Sequence, residues 1–564
     1  MLGDRLAVGL RTLTPPTQVR ILVPQPFNPV TLLVCFVHLE LLLDSGKRAP
    51  ISSYTLMRRA RTRKKEDSSI TAPKDRGRHA GPTPPYGFMS DAEVTRVIDT
   101  AITLMASSGI VFEPGTEADD LLRNAGCDVG PDGVVKIPET VIRKALQTTS
   151  RQTTLFDRNG ENPLTIDCEH TRFMPGMTCI AVYDQETGEP RSSTRADLAE
   201  ITRLSDGLPN IDAVCISVKN VAESTLFGEI DEFVCMMENT TKPLEYLCEY
   251  PVSLEAVIEI ATALRGSAHT LKEKPYFLHL VTPLPVQFGR IHIDQVLAAV
   301  RAGVPVGVGT LAIGGASAPI TLAGCLTHCL MTDFTAIVLG QLAREGSFCM
   351  GCSDVFFMEP ATGAIGSFTQ MSMADMAAAQ VRRSLGFPSL GAAGGGGVAR
   401  RFNQDAVWEI SASTMNMFYH RPATCDYLGS LDQGLTFSET ALLFSDDQAG
   451  MLRKMWEGMT ISDEQIGTDL IRKLGPKGQF LAERHTVDNC RTQVWNSRYL
   501  GPNIPLSDGG LQDQDLFERI EADLAERRKA PVPETPPEHV METARTVLAR
   551  FRDSAGVGRT LLPL

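Results

Sequence analysis

Acidic and aromatic side chains recur just after a series of apolar segments in the middle of this chain. Glu249-Tyr250 follow one segment, Asp354 another, and Asp426-Tyr427 with Asp432 a third. Carboxylates and ring faces gathered at one rim would hold an organic cation, by charge and by the negative face of the rings. His279, inside the run Pro275 to Val281, belongs to the same set of candidate substrate contacts. Small residues lie beside them: Gly315 and Ser317 in one turn, and Gly395 and Gly396 in the run Gly394 to Gly397. Missing side chains at such points leave room for close backbone approach or for a large planar ligand. Each residue taken alone is equally explained as a turn or helix-capping residue, so only the set carries weight.

Other chemistry is less well supported. Cys349-Met350-Gly351-Cys352, with Cys325, His328 and Cys329, offers the donors zinc prefers. However, the last three lie on an apolar helical stretch, and Cys349 and Cys352 sit three apart in a strand, facing opposite sides. No metal site is expected. The glycine run lacks the G-x-G-x-x-G order, no Walker lysine follows a glycine-rich loop, and no Gly-x-Ser-x-Gly elbow is present.

The elements that must position the polar set are strands and helices in alternation. Seven apolar segments begin near Ile211, Pro243, Pro275, Pro305, Phe348, Ser389 and Ala423, each followed by an amphipathic stretch. Spacings of about 30 to 43 residues suit strand-then-helix units, and a long series favours closure over an open sheet. The expected fold is therefore α/β, a TIM-type (β/α)8 barrel with an N-terminal α+β elaboration and C-terminal helices. The eighth strand would come from Thr171 to Val182 or from after Leu431. Near-continuous apolar strands such as IDAVCISV (211–218) are those of a sheet buried on both faces. Helices are expected at Val252 to Leu264, Arg290 to Ala302, Ala323 to Leu342 and Met371 to Leu385. The expected divisions are 89–205 for the elaboration, 206–445 for the barrel core and 446–564 for the helical end.

The first 88 residues read differently. Val30 to Leu43 is apolar but short and carries His38 and Glu40, which suits neither a membrane span nor a signal peptide. Residues 1–56 are read as an extension, non-native or disordered, with Met57 as the start; 57–88 are a basic disordered segment. With 54 basic against 67 acidic residues, the 564-residue chain has a net charge of −13, which argues against nucleic acid as a partner. Thirteen scattered cysteines argue against a secreted disulfide framework and for a reducing cytoplasm, with no membrane partner.

Several short pieces carry a family likeness: Thr187-Gly188-Glu189-Pro190-Arg191, Gly315 to Gly324, Gln341-Leu342 before Gly346, Thr362-Gly363-Ala364, Ala377-Ala378-Ala379-Gln380, and Gly475 to Leu481 followed by His485-Thr486 and Arg491. From about Met57 to Tyr499 the chain resembles the trimethylamine methyltransferase family, whose members move a methyl group from a methylated amine to a corrinoid protein. The resemblance implies no tightly bound cofactor and a corrinoid carried by a partner. None of the ten histidines here sits in the Asp-x-His-x-x-Gly motif of such carriers.

Departures from the family pattern shape the substrate expectation. Pyrrolysine marks the archaeal trimethylamine enzymes, and only standard residues occur here, so the chain looks like the branch typified by a glycine betaine methyltransferase. A family Pro-Glu pair is replaced by Thr369-Gln370, a helix Glu by Thr332 beside Asp333, and a second His by Asn489. A quaternary ammonium already carries a good neutral leaving group, so no acid is required; the protein's work is positioning and electrostatics. Gln370, orienting a polar tail, and Asp354 are the expected catalytic pair. Glu249, Tyr250, His279, Asp426, Tyr427 and Asp432 are the expected substrate contacts, and Gly315, Ser317, Gly395 and Gly396 the expected corrinoid-facing surface. A non-catalytic quaternary-amine binder and a trimethylamine:corrinoid methyltransferase stay open as alternatives. Self-association is compatible with an enzyme of this size.

Overall fold

The computed structural model describes residues 86–552 apart from 185–186, 224, 360, 362, 364, 367, 392–396 and 501–514. The expectations for 1–56 and for most of 57–88 therefore lie outside the described residues, as do Gly395 and Gly396.

Eight parallel strands alternate with eight helices. The strands are β1 (Arg172–Pro175), β2 (Val214–Cys215), β3 (Leu244–Tyr246), β4 (Phe277–Val281), β5 (Val306–Val308, resuming at Leu311–Gly314), β6 (Cys349–Gly351, resuming at Asp354–Phe357), β7 (Leu390–Gly391) and β8 (Thr424–Leu428). The helices that follow them are α1 (Arg195–Gly207), α2 (Leu226–Asn239), α3 (Pro251–Arg265), α4 (Arg290–Ala302), α5 (Leu322–Ala343), α6 (Phe368–Ser384), α7 (Gln404–His420) and α8 (Glu439–Trp456). All seven expected segment starts lie within a few residues of an observed strand. The eighth strand is β1, inside the stretch read from sequence as elaboration. It escaped the apolar pattern because Arg172-Phe173-Met174-Pro175 is four residues long and carries both an arginine and a proline.

Parallel ladders link β2 through β6 in order, and β7 to β8 to β1. β1 joins β2 through backbone bonds from Asp212 N to the Phe173 carbonyl, 2.8 Å, and from Thr178 N to the Ile216 carbonyl, 2.7 Å. The order is thus 7-8-1-2-3-4-5-6, and α6 packs on both β6 and β7 at the two ends of that series. Local signals explain the helix limits. Thr225 caps α2 by accepting from Gly228 N, Pro251 opens α3, and Gly266 and Gly303 end α3 and α4 at φ 78° and 80°.

Before the first strand, helix Asp91–Ser107 starts at a capping box between Ser90 and Glu93. This helix packs with helix Glu139–Thr148 on α5. A small sheet of Ile110–Phe112, Asp128–Val129 and Val134–Lys136 takes Gln287–Phe288 as a fourth strand. Helix Glu538–Phe551 closes the described chain against α3 and α2. Helix α5 is long and apolar enough to cross a membrane, but most of it is buried in the core between β5, β6 and the N-terminal helices.

Candidate active site

Strand alternation decides which side chains turn inward. A Cβ on Gly307 of β5 would run into Leu278 and Leu280 of β4 and Cys352 beyond β6, so these share one interior face. In the β3 ladder Glu245 stands beside Cys215 of β2 and Leu278 of β4, which turns it inward as well. Cys349 lies on the other side, against Gly340 and Ser347 of the α5 turn. The two cysteines face opposite sides as expected, and the described residues hold no cluster of metal-ligating type.

β8 breaks the alternation. Its register against β1 shifts between Cys425 and Leu428, an irregularity that lets two successive residues reach inward. The Asp426 carboxyl lies within hydrogen-bonding reach of Glu245 on β3. The Tyr427 hydroxyl donates to Asp354 Oδ2 of β6 at 3.2 Å. Glu245 is 1% exposed, Asp426 0% and Asp354 8%, so the three acids form a floor and a rim of one cluster.

Among the described residues no charged donor reaches the four carboxyl oxygens of Glu245 and Asp426; the Cys215 thiol beside Glu245 and Asp426's own N–H are the donors near them. Two bare carboxylates in contact inside a protein repel strongly, and a shared proton is what makes the contact tolerable. Burial pushes Glu245 up to about 7, and burial with the neighbouring Glu245 charge pushes Asp426 well above the usual carboxylate range. Asp354 rises to about 6, again by burial, against the opposing charge of Arg382 and the Tyr427 hydrogen bond.

Asp354 is fixed from behind by a separate ion pair. Arg382 of α6 donates to Asp333 Oδ2 of α5 at 2.8 and 3.1 Å and to the Ser353 carbonyl at 3.2 Å. Ser353 Oγ in turn donates to Asp333 Oδ1 at 2.6 Å. This pins the peptide immediately before Asp354 to two helices. Thr332, by contrast, accepts from Val286 N at 2.9 Å and lies apart from the cluster.

Other expected contacts fall elsewhere. His279 does not join the cluster: as the odd member between Leu278 and Leu280 it points into the helix layer. There Nε2 lies 3.2 Å from Gln295 Oε1 of α4 and Nδ1 3.2 Å from the Tyr246 carbonyl, and burial pulls it down to about 4. Glu249 is exposed, with its backbone N–H held by Glu229 Oε1 at 2.7 Å and its carbonyl by Gln295 at the same distance. Tyr250 is the half-buried N-cap residue of α3. Asp432, at φ 50°, pairs with Arg400 at 3.4 Å. Gln370 is exposed in the first turn of α6. Gly315 and Ser317 form an exposed turn after β5, with Ser317 Oγ accepting from Ile313 N at 2.9 Å.

Glu245 is the residue that sequence reading passed over. Its signal was a lone acid inside the apolar run Leu244-Glu245-Tyr246-Leu247, where both faces of the strand are buried.

A parallel α/β scaffold with a buried acidic cluster among its strands is the class of protein the described residues define. Within that class the chain belongs to the trimethylamine methyltransferase family, whose model matches residues 57–502. It is 26% identical over 483 residues to a trimethylamine methyltransferase of Desulfitobacterium hafniense (strain DSM 10664 / DCB-2), covering 84% of this chain and 96% of that one. It is 25% identical over 454 residues to a glycine betaine methyltransferase of Desulfitobacterium hafniense (strain Y51), covering 78% and 90%. Among solved structures, the Methanosarcina barkeri monomethylamine methyltransferase aligns with a TM-score of 0.43 at 11% identity, over 84% of this chain and 89% of that one.

Proposed function

We propose that the eight strands close into a (β/α)8 barrel, and that this chain moves a methyl group from a quaternary amine of the glycine betaine type to the Co(I) centre of a separate corrinoid protein. Two side-chain meetings support closure: Tyr427 of β8 with Asp354 of β6, and Asp426 of β8 with Glu245 of β3. In a flat sheet of the observed order, β8 and β6 would stand six strands apart, roughly 29 Å at about 4.8 Å per step.

The observation that carries the reading is the set of four buried carboxyl oxygens on Glu245 and Asp426 that no cationic side chain among the described residues pairs with. Buried acids without partners are costly, and a cation bound among them supplies the missing countercharge. Tyr427 brings a ring to the same place, which suits a methylated ammonium. Asp354, pinned through Ser353, Asp333 and Arg382, sets the position of the Tyr427 hydroxyl. The partner's corrinoid, when docked, supplies the nucleophile that takes the methyl carbon while the C–N bonding pair leaves with the amine. This chain holds the cation in line and excludes water. The exposed turn at 314–318, built of Gly and Ala with one Ser, leaves the rim low enough for a macrocycle. In this proposal the site is cytoplasmic, in keeping with described cysteines that are all free.

The test is formation of methylcobalamin from free reduced cobalamin against glycine betaine, proline betaine, carnitine, choline and trimethylamine. Turnover with at least one quaternary compound and little with trimethylamine is expected. The reverse preference, or none at all, overturns the assignment.

A further inference from the structure

The contact between Glu245 and Asp426 does more than provide charge. The two carboxyls come from β3 and β8 and lie within hydrogen-bonding reach of one another; among the described residues the Cys215 thiol beside Glu245 and Asp426's own N–H are the other donors near them, and neither is charged. Carboxyls in contact attract only when one proton lies between them. With that proton the pair carries one negative charge; without it, two.

The surroundings offer nothing else to balance the second charge. From β2 comes Cys215, from β4 Leu278 and Leu280, from β5 Gly307, and from β6 Cys352 and Asp354. From β8 comes Tyr427, and Cys179 lies beside Cys215. Arg172 of β1 is turned to the Thr165 carbonyl. Among the described residues the cation near the cluster, Arg382, is already held by Asp333. A shared proton is thus the charge that the pair itself retains, and the quaternary ammonium centre of a substrate can replace it with no change in charge at the pair.

We infer that arrival of the cationic methyl donor expels the proton shared by Glu245 and Asp426, so that binding is coupled to release of one proton to solvent. The exchange balances: the singly protonated pair and a monovalent cation become the doubly ionised pair, the bound cation and one free proton. No covalent bond in the substrate changes. This inference rests on the proposed cation site but not on the methyl transfer.

The test is calorimetry with glycine betaine and with tetramethylammonium, which has no tail, at pH 7 in phosphate and in Tris, whose ionisation enthalpies differ. Release of about one proton per cation bound is expected, with Kd tightening by up to about tenfold per pH unit below the pair's titration and levelling above it. Glu245→Gln should bind without proton release and without that pH dependence; Asp426→Asn is the parallel variant should the first not fold. Asp354→Asn should still release the proton. Wild-type binding with no net proton release, or an unchanged proton count in a folded Glu245→Gln, overturns the inference. Methylcobalamin formation on the same preparation separates the two claims. Turnover without proton release defeats only this inference, and proton-coupled binding without turnover defeats only the methyl-transfer assignment. Failure of both cations to bind overturns the shared cation site.

Discussion

Buried acids occur in two regions of this protein and are handled in opposite ways. At the seam between the strands and the outer helices each of three described sites matches them with arginine: Asp333 with Arg382, Asp212 with Arg453, and Asp446 and Asp447 with Arg498. Inside the strand set, Glu245 and Asp426 meet each other and no cation. The first arrangement closes the electrostatics within the chain. The second leaves them open, which is what the proposed site for a charge from outside requires. Physical cost separates the two: a buried pair is tolerable once made, whereas an uncompensated buried acid is tolerated for a function.

The largest effect that would sharpen the contrast is on stability. Arg382→Ala strands Asp333 without its partner and should cost about 3–5 kcal/mol by urea denaturation, whereas an Asp333→Leu, Arg382→Met double variant should recover much of that loss. Equal losses in both would mean that the seam does not depend on pairing. Next in size is a functional effect at the interior. Asp426→Asn keeps the shape but removes charge, and kcat/KM for the quaternary amine should fall about 100-fold, roughly 2.7 kcal/mol, with the fold intact by circular dichroism.

The same pair has a stability signature of opposite sign to the seam. Glu245 titrates near 7 when folded against 4.5 as its ordinary value, so the folded form binds the proton more tightly. Its contribution is fully present below about 4.5 and is lost as pH rises through about 7. Glu245→Gln, measured by thermal unfolding, should therefore gain stability over wild type at pH 8 and show no gain at pH 4.5. A smaller effect is expected at the surface: Arg191→Ala breaks the bidentate pair with Asp197 at 2.7 and 2.9 Å, and should cost about 1 kcal/mol or less because Arg191 is half exposed.

The strand-helix cadence was legible because parallel strands buried on both faces are mostly apolar, and β2 to β8 follow this apart from a few residues such as Glu245, His279, Asp354 and Asp426. β1 lies inside Thr171 to Val182, one of the two places expected for the eighth strand, but its position there was not fixed, since its Arg172 and Pro175 break the pattern. Asp354, Asp426 and Tyr427 were singled out as residues following strands, whereas the structure places them within β6 and β8. The pairing of Asp426 with a residue on β3 was hidden, because it depends on the irregularity in β8 and on curvature of the sheet, neither of which leaves a local sequence trace. His279 was misplaced for a simple reason: which of two alternating faces turns inward is fixed by register, and only neighbours such as Gly307 and Cys352 reveal it. Glu249 and Gln370, chosen for chemical type at a strand or helix end, lie in solvent-exposed positions because loop residues reach the interior only when the backbone turns them there.

The placement of the cation is tested most directly by a crystal structure of the protein soaked with glycine betaine. The quaternary nitrogen should lie within about 6 Å of the Tyr427 ring centroid and in contact with the Glu245 and Asp426 carboxyls. Density for the ligand at any other place, with the carboxyl pair unchanged and untouched, would contradict it.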